Sequence, residues 1–226
     1  MSITRIAKTR RALFMLENLN LPKAANLEDA KWEKFQIDEL NSDDMFGIER
    51  KCRQVGWSFL IAMRAVADAI LDKRDSVFNS INKEESHEKI RYAKAIYDNL
   101  EIAGLPKIVI ENRSEIEFDN GARLISTANA RGKPQSNFFI DEWAWKINGK
   151  AVWTAAQPVI SKGGVFRGGS STNGAGGIFW EIDTQTLQAY PGFRRSNTRW
   201  WEVQAFCIDV KQAVKEAPTM DTAERV

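Results

Sequence analysis

Residues 51–58, Lys51-Cys52-Arg53-Gln54-Val55-Gly56-Trp57-Ser58, decide how this chain is read. They stand where a weakly apolar run, Met45 to Arg50, gives way to a segment that is apolar nearly all round: Phe59, Leu60, Ile61, Met63, Val66, Ile70 and Leu71. That change predicts a strand, a turn, and then a helix over Ser58 to Leu71 buried against a sheet. Gly56 permits the close approach or positive φ that such a turn demands. The N–H groups of Gln54 to Ser58 would then face an anion at a helix N-terminus. An ordinary phosphate loop reads G-x-x-x-x-G-K-[ST]. Here the glycine and the serine are in place, but Trp57 fills the lysine slot and Lys51 stands at the front of the loop. Lys51 and Arg53 are both candidates for the phosphate charge, and the Ser58 hydroxyl is a candidate Mg²⁺ ligand. The alternative is a strand-to-helix turn with incidental basic residues.

Outward from this loop, strands alternate with helices. Trp32 to Leu40 reads as helix, Ser76 to Ile81 as strand, and Glu84 to Leu100 as a helix with Ile90, Ala93, Ile96, Tyr97 and Leu100 on one face. Lys107 to Glu111 is a short β run. Glu115 to Phe118 and Ala122 to Thr127 flank Asp119-Asn120-Gly121 as a hairpin, for which Asn-Gly favours a type I′ turn. Asn137 to Ile140 is an apolar strand ending in Asp141-Glu142. Val165 to Gly169 reads as a strand entering a glycine-rich polar turn, and Trp200 to Ile208 as one further strand. This alternation implies an α/β fold with a mainly parallel sheet and ligands at the carboxyl ends of its strands.

Composition sets wide bounds. The 226 residues suffice for one α/β domain, and a net charge of +2 means that any polyanion contact must come from local basic patches. Cys52 and Cys207 lie far apart, one inside the candidate loop, which fits free thiols and a reducing compartment. No signal peptide or membrane-length apolar run is present, so the expectation is a cytoplasmic protein without membrane contact.

Three further motifs bear on chemistry. Phe138-Phe139-Ile140-Asp141-Glu142 is an apolar strand ending in two acids. Asp141 is placed to hold Mg²⁺ through water and Glu142 to orient or deprotonate an attacking water. Gly168-Gly169-Ser170-Ser171-Thr172-Asn173-Gly174 offers small polar groups to a γ-phosphate, a second phosphate loop and a plain surface loop being the alternatives. Arg194, Arg195 and Arg199, with Lys162 and Arg167, offer a candidate basic face for duplex phosphates, against the alternative of a solvated charged surface. His87 reads as a surface residue, and the tryptophans as core or interface anchors.

In this order the motifs resemble the ATPase domain of the large terminase subunit of tailed bacteriophages, most closely that of Mu-like and related phages. The resemblance implies a RecA-like P-loop NTPase of the ASCE type, flanked by helices, with a small portion of a C-terminal subdomain. It implies ATP and Mg²⁺ as ligands, with Cys52 to Ser58 and Lys51 around the phosphates. Gln36, in Trp32-Glu33-Lys34-Phe35-Gln36, corresponds to the glutamine that contacts adenine. Lys51 and Trp57 match terminases with an early lysine and an aromatic before the serine, whereas Cys52-Arg53-Gln54-Val55-Gly56 resembles those reading S-R-Q-x-G. Ala130-Arg131-Gly132-Lys133 resembles the segment that supplies an arginine finger to a neighbouring subunit. Ser171-Thr172-Asn173-Gly174 resembles the coupling motif, with Asn173 where proline is usual. Catalytic roles are thus expected for Glu142, Arg53 and Arg131. The implied partners are double-stranded DNA, a portal protein, a small terminase subunit and further copies in a ring. The scattered Asp209, Glu216, Asp221 and Glu224 lack a two-metal pattern, so no nuclease activity is expected. The domains are expected as a lead-in over 1–30, the ATPase core over 31–190, and a C-terminal subdomain start or linker over 191–226. A helicase-like DNA translocase and a non-catalytic nucleotide- or DNA-binding module with a degenerate loop are the alternatives.

Overall fold

The computed structural model describes residues 6–22, 31–127, 135–161, 163–184 and 190–216. One eight-stranded sheet organises them, in the order β3-β4-β5-β2-β6-β7-β1-β8. Its strands are β1 (Phe46–Lys51), β2 (Ser76–Asn79), β3 (Ile108–Asn112), β4 (Glu115–Phe118), β5 (Arg123–Ser126), β6 (Asn137–Asp141), β7 (Phe166–Ser170) and β8 (Phe193–Thr198). From β5 to β8 all neighbours are parallel, and only β3, β4 and β5 run antiparallel. The strand before the candidate loop, β1, and the acidic strand, β6, are not neighbours, because β7 lies between them and pairs with both.

Helices cover both faces. On one lie α1 (Arg10–Asn18), α2 (Lys34–Leu40), α3 (Trp57–Asp72) and α4 (Lys83–Asp98); on the other lie α5 (Gly149–Ile160) and α6 (Gly177–Thr184), while α7 (Val210–Glu216) sits near the chain's end. Each face has its own core. Phe78 and Phe139 point toward α3, whereas Val77, Phe138 and Ile140 point toward α5 and α6. This is the period-2 alternation of strands buried on both sides. Helix α3 is buried along most of its length, as its all-round apolar sequence requires.

Buried charge ties α2, α3 and two strands together. The Glu39 carboxylate accepts from Arg64 Nη1 and Arg167 Nε, each at 2.7 Å, and from Arg194. Burial alone would raise Glu39, but Arg167, Arg64 and Arg194 outweigh it and hold it down to about 2. The candidate basic face therefore does not form as read. Arg167 is fully buried, and Arg194 is committed to Glu39 and Asp44. Arg195 donates to the carbonyls of Ile182, Phe193 and Tyr190, and Arg199 pairs with Glu202; Lys162 lies outside the described residues.

Three other expectations change. The segment from Trp200 is a short 3₁₀ turn, and the further strand is instead β8, paired in parallel with β1. His87 is buried. The β4–β5 hairpin forms, but only Gly121 in its turn has positive φ (88°), and Gly121 N–H bonds to Phe118 O at 2.9 Å. That is a type I turn followed by a left-handed glycine, not a type I′ turn.

Candidate nucleotide site

The loop after β1 is built around two left-handed residues, Gln54 (φ 59°) and Gly56 (φ 85°), with Val55 between them at negative φ. Such alternation turns successive N–H groups toward one concavity. A Cβ on Gly56 would meet nothing within 4 Å, so the loop is open on the side where a ligand would lie. Gly56 caps α3, and its carbonyl accepts from Leu60 N–H at 3.0 Å.

Four side chains meet at the carboxyl ends of β1 and β6. Ser58, in the first turn of α3, donates its hydroxyl to Asp141 Oδ2. Lys51 Nζ lies 2.7 Å from Glu142 Oε1 and 3.6 Å from Asp141 Oδ1. Glu142 sits in the left-handed region (φ 52°), a strained conformation for a non-glycine residue. That conformation lets its N–H donate to Asp141 Oδ1 at 3.0 Å while its carboxylate turns toward Lys51. Burial would raise Asp141, but the ammonium groups of Lys89 and Lys51 and the Ser58 hydroxyl hold it below the usual carboxylate range.

Ser171 joins this group. Its hydroxyl and N–H donate to Glu142 Oε2 at 3.2 and 3.4 Å, and the Ser170 hydroxyl lies 3.5 Å away. Asn173 Nδ2 donates to Ala144 O at 3.1 Å, tying the following turn to the segment after the acidic strand. Thr172 is exposed and Gly174 takes φ 73°. Gly168 and Gly169 are not loop residues at all. Both lie within β7, and a Cβ on them would lie 2.5 Å from Trp143 and 2.0 Å from Trp57. They are glycines because an indole packs against the strand backbone at each of them, Trp143 at Gly168 and Trp57 at Gly169. The reading as a second phosphate loop is thereby corrected.

Trp57, in the usual lysine slot, is 2% exposed and packs on Gly169. Arg53 is exposed, its guanidinium 5.8 Å from the centre of the Trp145 ring, and Trp145 Nε1 donates to Ser171 Oγ at 3.1 Å. Cys52 N–H bonds to Thr198 O at 2.9 Å, and burial raises its thiol. Gln36 uses its side-chain carbonyl to accept Glu33 N–H at 3.0 Å, closing the first turn of α2. Arg131 lies outside the described residues.

One residue that motif reading missed is Lys89, 3.0 Å from Asp141 Oδ2 and 2% exposed. A signal existed. Lys89 falls on the same α4 stripe as Ser86, Ile90, Ala93 and Ile96, where a lysine needs a buried partner. A cavity of about 330 Å³ lies beside β1 on the same face, bounded in part by Phe35, Asp38, Glu49, Asn197 and Thr198. Glu49 accepts from the Thr198 hydroxyl at 2.7 Å, and burial pushes it up to about 7.

Among the described residues no three His, Cys, Asp or Glu side chains are grouped to hold a metal on their own, and no helix is long and apolar enough to cross a membrane. The hydroxyl and carboxylate of Ser58 and Asp141, in contact at a helix N-terminus, are hard oxygen donors of the kind that Mg²⁺ takes when phosphates complete its shell.

Comparison with solved structures shows the same fold. A point mutant of the Thermus phage P74-26 large terminase ATPase domain superposes with a TM-score of 0.63 at 14% identity, over 86% of this chain and 91% of that one. The unmutated domain gives 0.60 at 13% identity. The bacteriophage HK97 large terminase gives 0.61 at 14% identity, over 96% of this chain but 52% of its own length. The family profile described as terminase large subunit, T4likevirus-type, N-terminal, matches residues 50–179, from the end of β1 to α6. That profile is of T4-like type. With more than half of its length matched, the chain belongs to the terminase large subunit family and carries that family's N-terminal ATPase-domain fold.

Proposed function

We propose that this domain binds ATP with Mg²⁺ and hydrolyses it to drive double-stranded DNA into a viral procapsid. One observation carries the reading: Lys51, Ser58, Asp141 and Glu142 converge from two strand ends and a helix N-terminus onto one point. In this reading the N–H groups of Gln54 to Ser58 cradle the phosphates, while Cys52 and Val55 hold the loop's shape. Lys51, already at the carboxylates, supplies the cation that the usual lysine slot lacks, and exposed Arg53 adds a second. Trp57 therefore does not mark a dead loop; it anchors the loop to β7.

Ser58 and Asp141 would hold Mg²⁺, and the ion would supply positive charge against the nucleotide's phosphates. Glu142 orients and deprotonates the attacking water, and Ser171, bound to it, reports the state of the γ-phosphate along the Ser171 to Gly174 turn. Gln36 contacts adenine. Arg131 acts in trans within a ring of copies, with DNA, a portal protein and a small terminase subunit as partners.

The test is Glu142→Gln. It should keep nucleotide affinity and cut turnover by about 10²-fold or more. ATPase unchanged in that variant would remove Glu142 from the mechanism. Magnesium-dependent ATPase absent from the unaltered chain, with no nucleotide binding, would leave only a docking module.

A further inference from the structure

Lys89 belongs neither to the phosphate loop nor to the acidic strand. It stands on α4 with its ammonium 3.0 Å from Asp141 Oδ2, and its other acidic neighbour, Glu85, is 4.0 Å away and 55% exposed. A lysine stem buried this deeply, with its charge on one carboxylate, is not a solvated surface pair.

The surroundings of Asp141 show what that costs an incoming cation. Oδ2 accepts from Ser58 and Lys89; Oδ1 accepts from Glu142 N–H at 3.0 Å and faces Lys51 Nζ at 3.6 Å. Three of the carboxylate's four acceptor directions are thus taken, and the Lys51 charge faces Oδ1 beside the third. The four central charges, Lys51 and Lys89 against Asp141 and Glu142, cancel. A divalent ion reaching the domain by itself meets a satisfied carboxylate and two ammonium groups.

We propose that Lys89 is the resident counter-ion of Asp141, opposing direct divalent-metal binding at that carboxylate and so making such binding depend on the nucleotide's phosphates. The proposal rests on the reading of Asp141 as the metal-side carboxylate. Phosphates bring negative charge and offer Lys51 a new partner. Lys89 does not follow, because its stem is buried on a different element. With nucleotide bound, Lys89 would still hold Asp141, and the phosphates would supply the negative charge and hard oxygen donors that the metal needs.

Mn²⁺ is the probe, followed by the loss of its free paramagnetic signal on titration into the nucleotide-free chain. Lys89→Met should bind Mn²⁺ at least about ten-fold more tightly than the unaltered chain, since a buried like charge beside the carboxylate is gone. Asp141→Asn in the Lys89→Met background should erase the gain, and Lys89→Arg should behave like the unaltered chain. Lys89→Gln, which keeps a donor but no charge, provides a second reading if methionine loosens the fold. Neutral variants that fold and bind Mn²⁺ no better than the unaltered chain would overturn the proposal. So would a gain that survives Asp141→Asn. Unfolding of both neutral variants would overturn it too, because Lys51 and Ser58 already hold Asp141 and a counter-ion is then dispensable for folding. A final arm separates the two readings. If Asp141→Asn leaves Mn²⁺ binding with ATP unchanged, the metal-side reading of Asp141 fails. If it weakens that binding while Lys89 variants behave like the unaltered chain, only the Lys89 proposal fails.

Discussion

Adding one methyl group at Gly169 tests how the loop is held. A Cβ there would lie 2.0 Å from Trp57 Nε1, 2.4 Å from Cε2 and 2.5 Å from Cδ1. Carbon contacts settle near 3.5 Å, so the indole would have to retreat by about 1.5 Å. It has nowhere to go. Trp57 is 2% exposed in the first turn of α3, and β7 is pinned between β1 and β6. Overpacking of a well-filled core costs about 1–3 kcal/mol, and a clash of indole against strand backbone belongs at the upper end, near 3 kcal/mol. With a urea m-value of about 3 kcal/mol/M, the midpoint for Gly169→Ala falls by about 1 M. Far-ultraviolet circular dichroism is the signal, because it survives removal of the tryptophan. The decisive measurement is a double-mutant cycle with Trp57→Ala, whose cavity accepts the new methyl. In that background Gly169→Ala should cost less than about 0.5 kcal/mol, a coupling of more than 2 kcal/mol. Equal losses in both backgrounds, or a loss below about 0.5 kcal/mol in the unaltered one, would refute the packing argument. Gly174→Ala is the control. Its Cβ meets nothing, so only the left-handed backbone is strained, at about 1 kcal/mol.

Three other outcomes follow from the buried charges. Glu49 rises from 4.5 to about 7 on folding, so its penalty is absent below pH 4.5, grows as pH rises toward 7 and stays in place above it. Glu49→Gln should therefore stabilise the chain by about 2–3 kcal/mol at pH 8 and by less than about 0.5 kcal/mol at pH 4.5, measured by denaturant titration at both pH values; a pH-independent effect would contradict it. Glu39 moves the other way, to about 2, so its contribution is present at neutral pH and is lost only as pH falls from 4.5 through 2. Glu39→Gln strands the buried guanidiniums of Arg64 and Arg167 and should cost about 3–5 kcal/mol at pH 7, and a loss under about 1 kcal/mol would show that they find other partners. Lys51→Met should weaken Mg²⁺-ATP binding at least about ten-fold, and exposed Arg53→Met by less, with labelled nucleotide as the readout; the reverse order would make Arg53 the main phosphate cation.

Much of this architecture was legible because burial leaves a local pattern. The all-round apolar run after Gly56 became α3, and Phe138-Phe139-Ile140 became a strand buried on both faces. Strand β8 left no such mark. After Phe193 the strand reads Arg194-Arg195-Ser196-Asn197-Thr198, all polar, because its arginines reach Glu39, Asp44 and backbone carbonyls instead of water. The carboxylates Glu39 and Asp44 are distant in sequence, so a solvated basic face was the natural reading. Arg167 was hidden the same way: its carboxylate, Glu39, lies 128 residues earlier. In the site, Lys51, Ser58, Asp141 and Glu142 were named by spacing, whereas Lys89 needed the question of why a lysine occupies a buried stripe.

The swap that opened the reading then has a physical account. Lys51 stands at the end of β1, which fixes its backbone, with a side chain only 5% exposed and its ammonium at Glu142. The usual lysine slot faces β7, and an aromatic can fill it only if β7 presents no side chain there. Gly169 meets that condition, and Gly168 meets the corresponding one for Trp143 on the opposite face. The glycines of β7 and the tryptophan of the loop are thus two halves of one contact. It joins the segment carrying Ser58, bonded to Asp141, to the strand that continues into Ser171, bonded to Glu142.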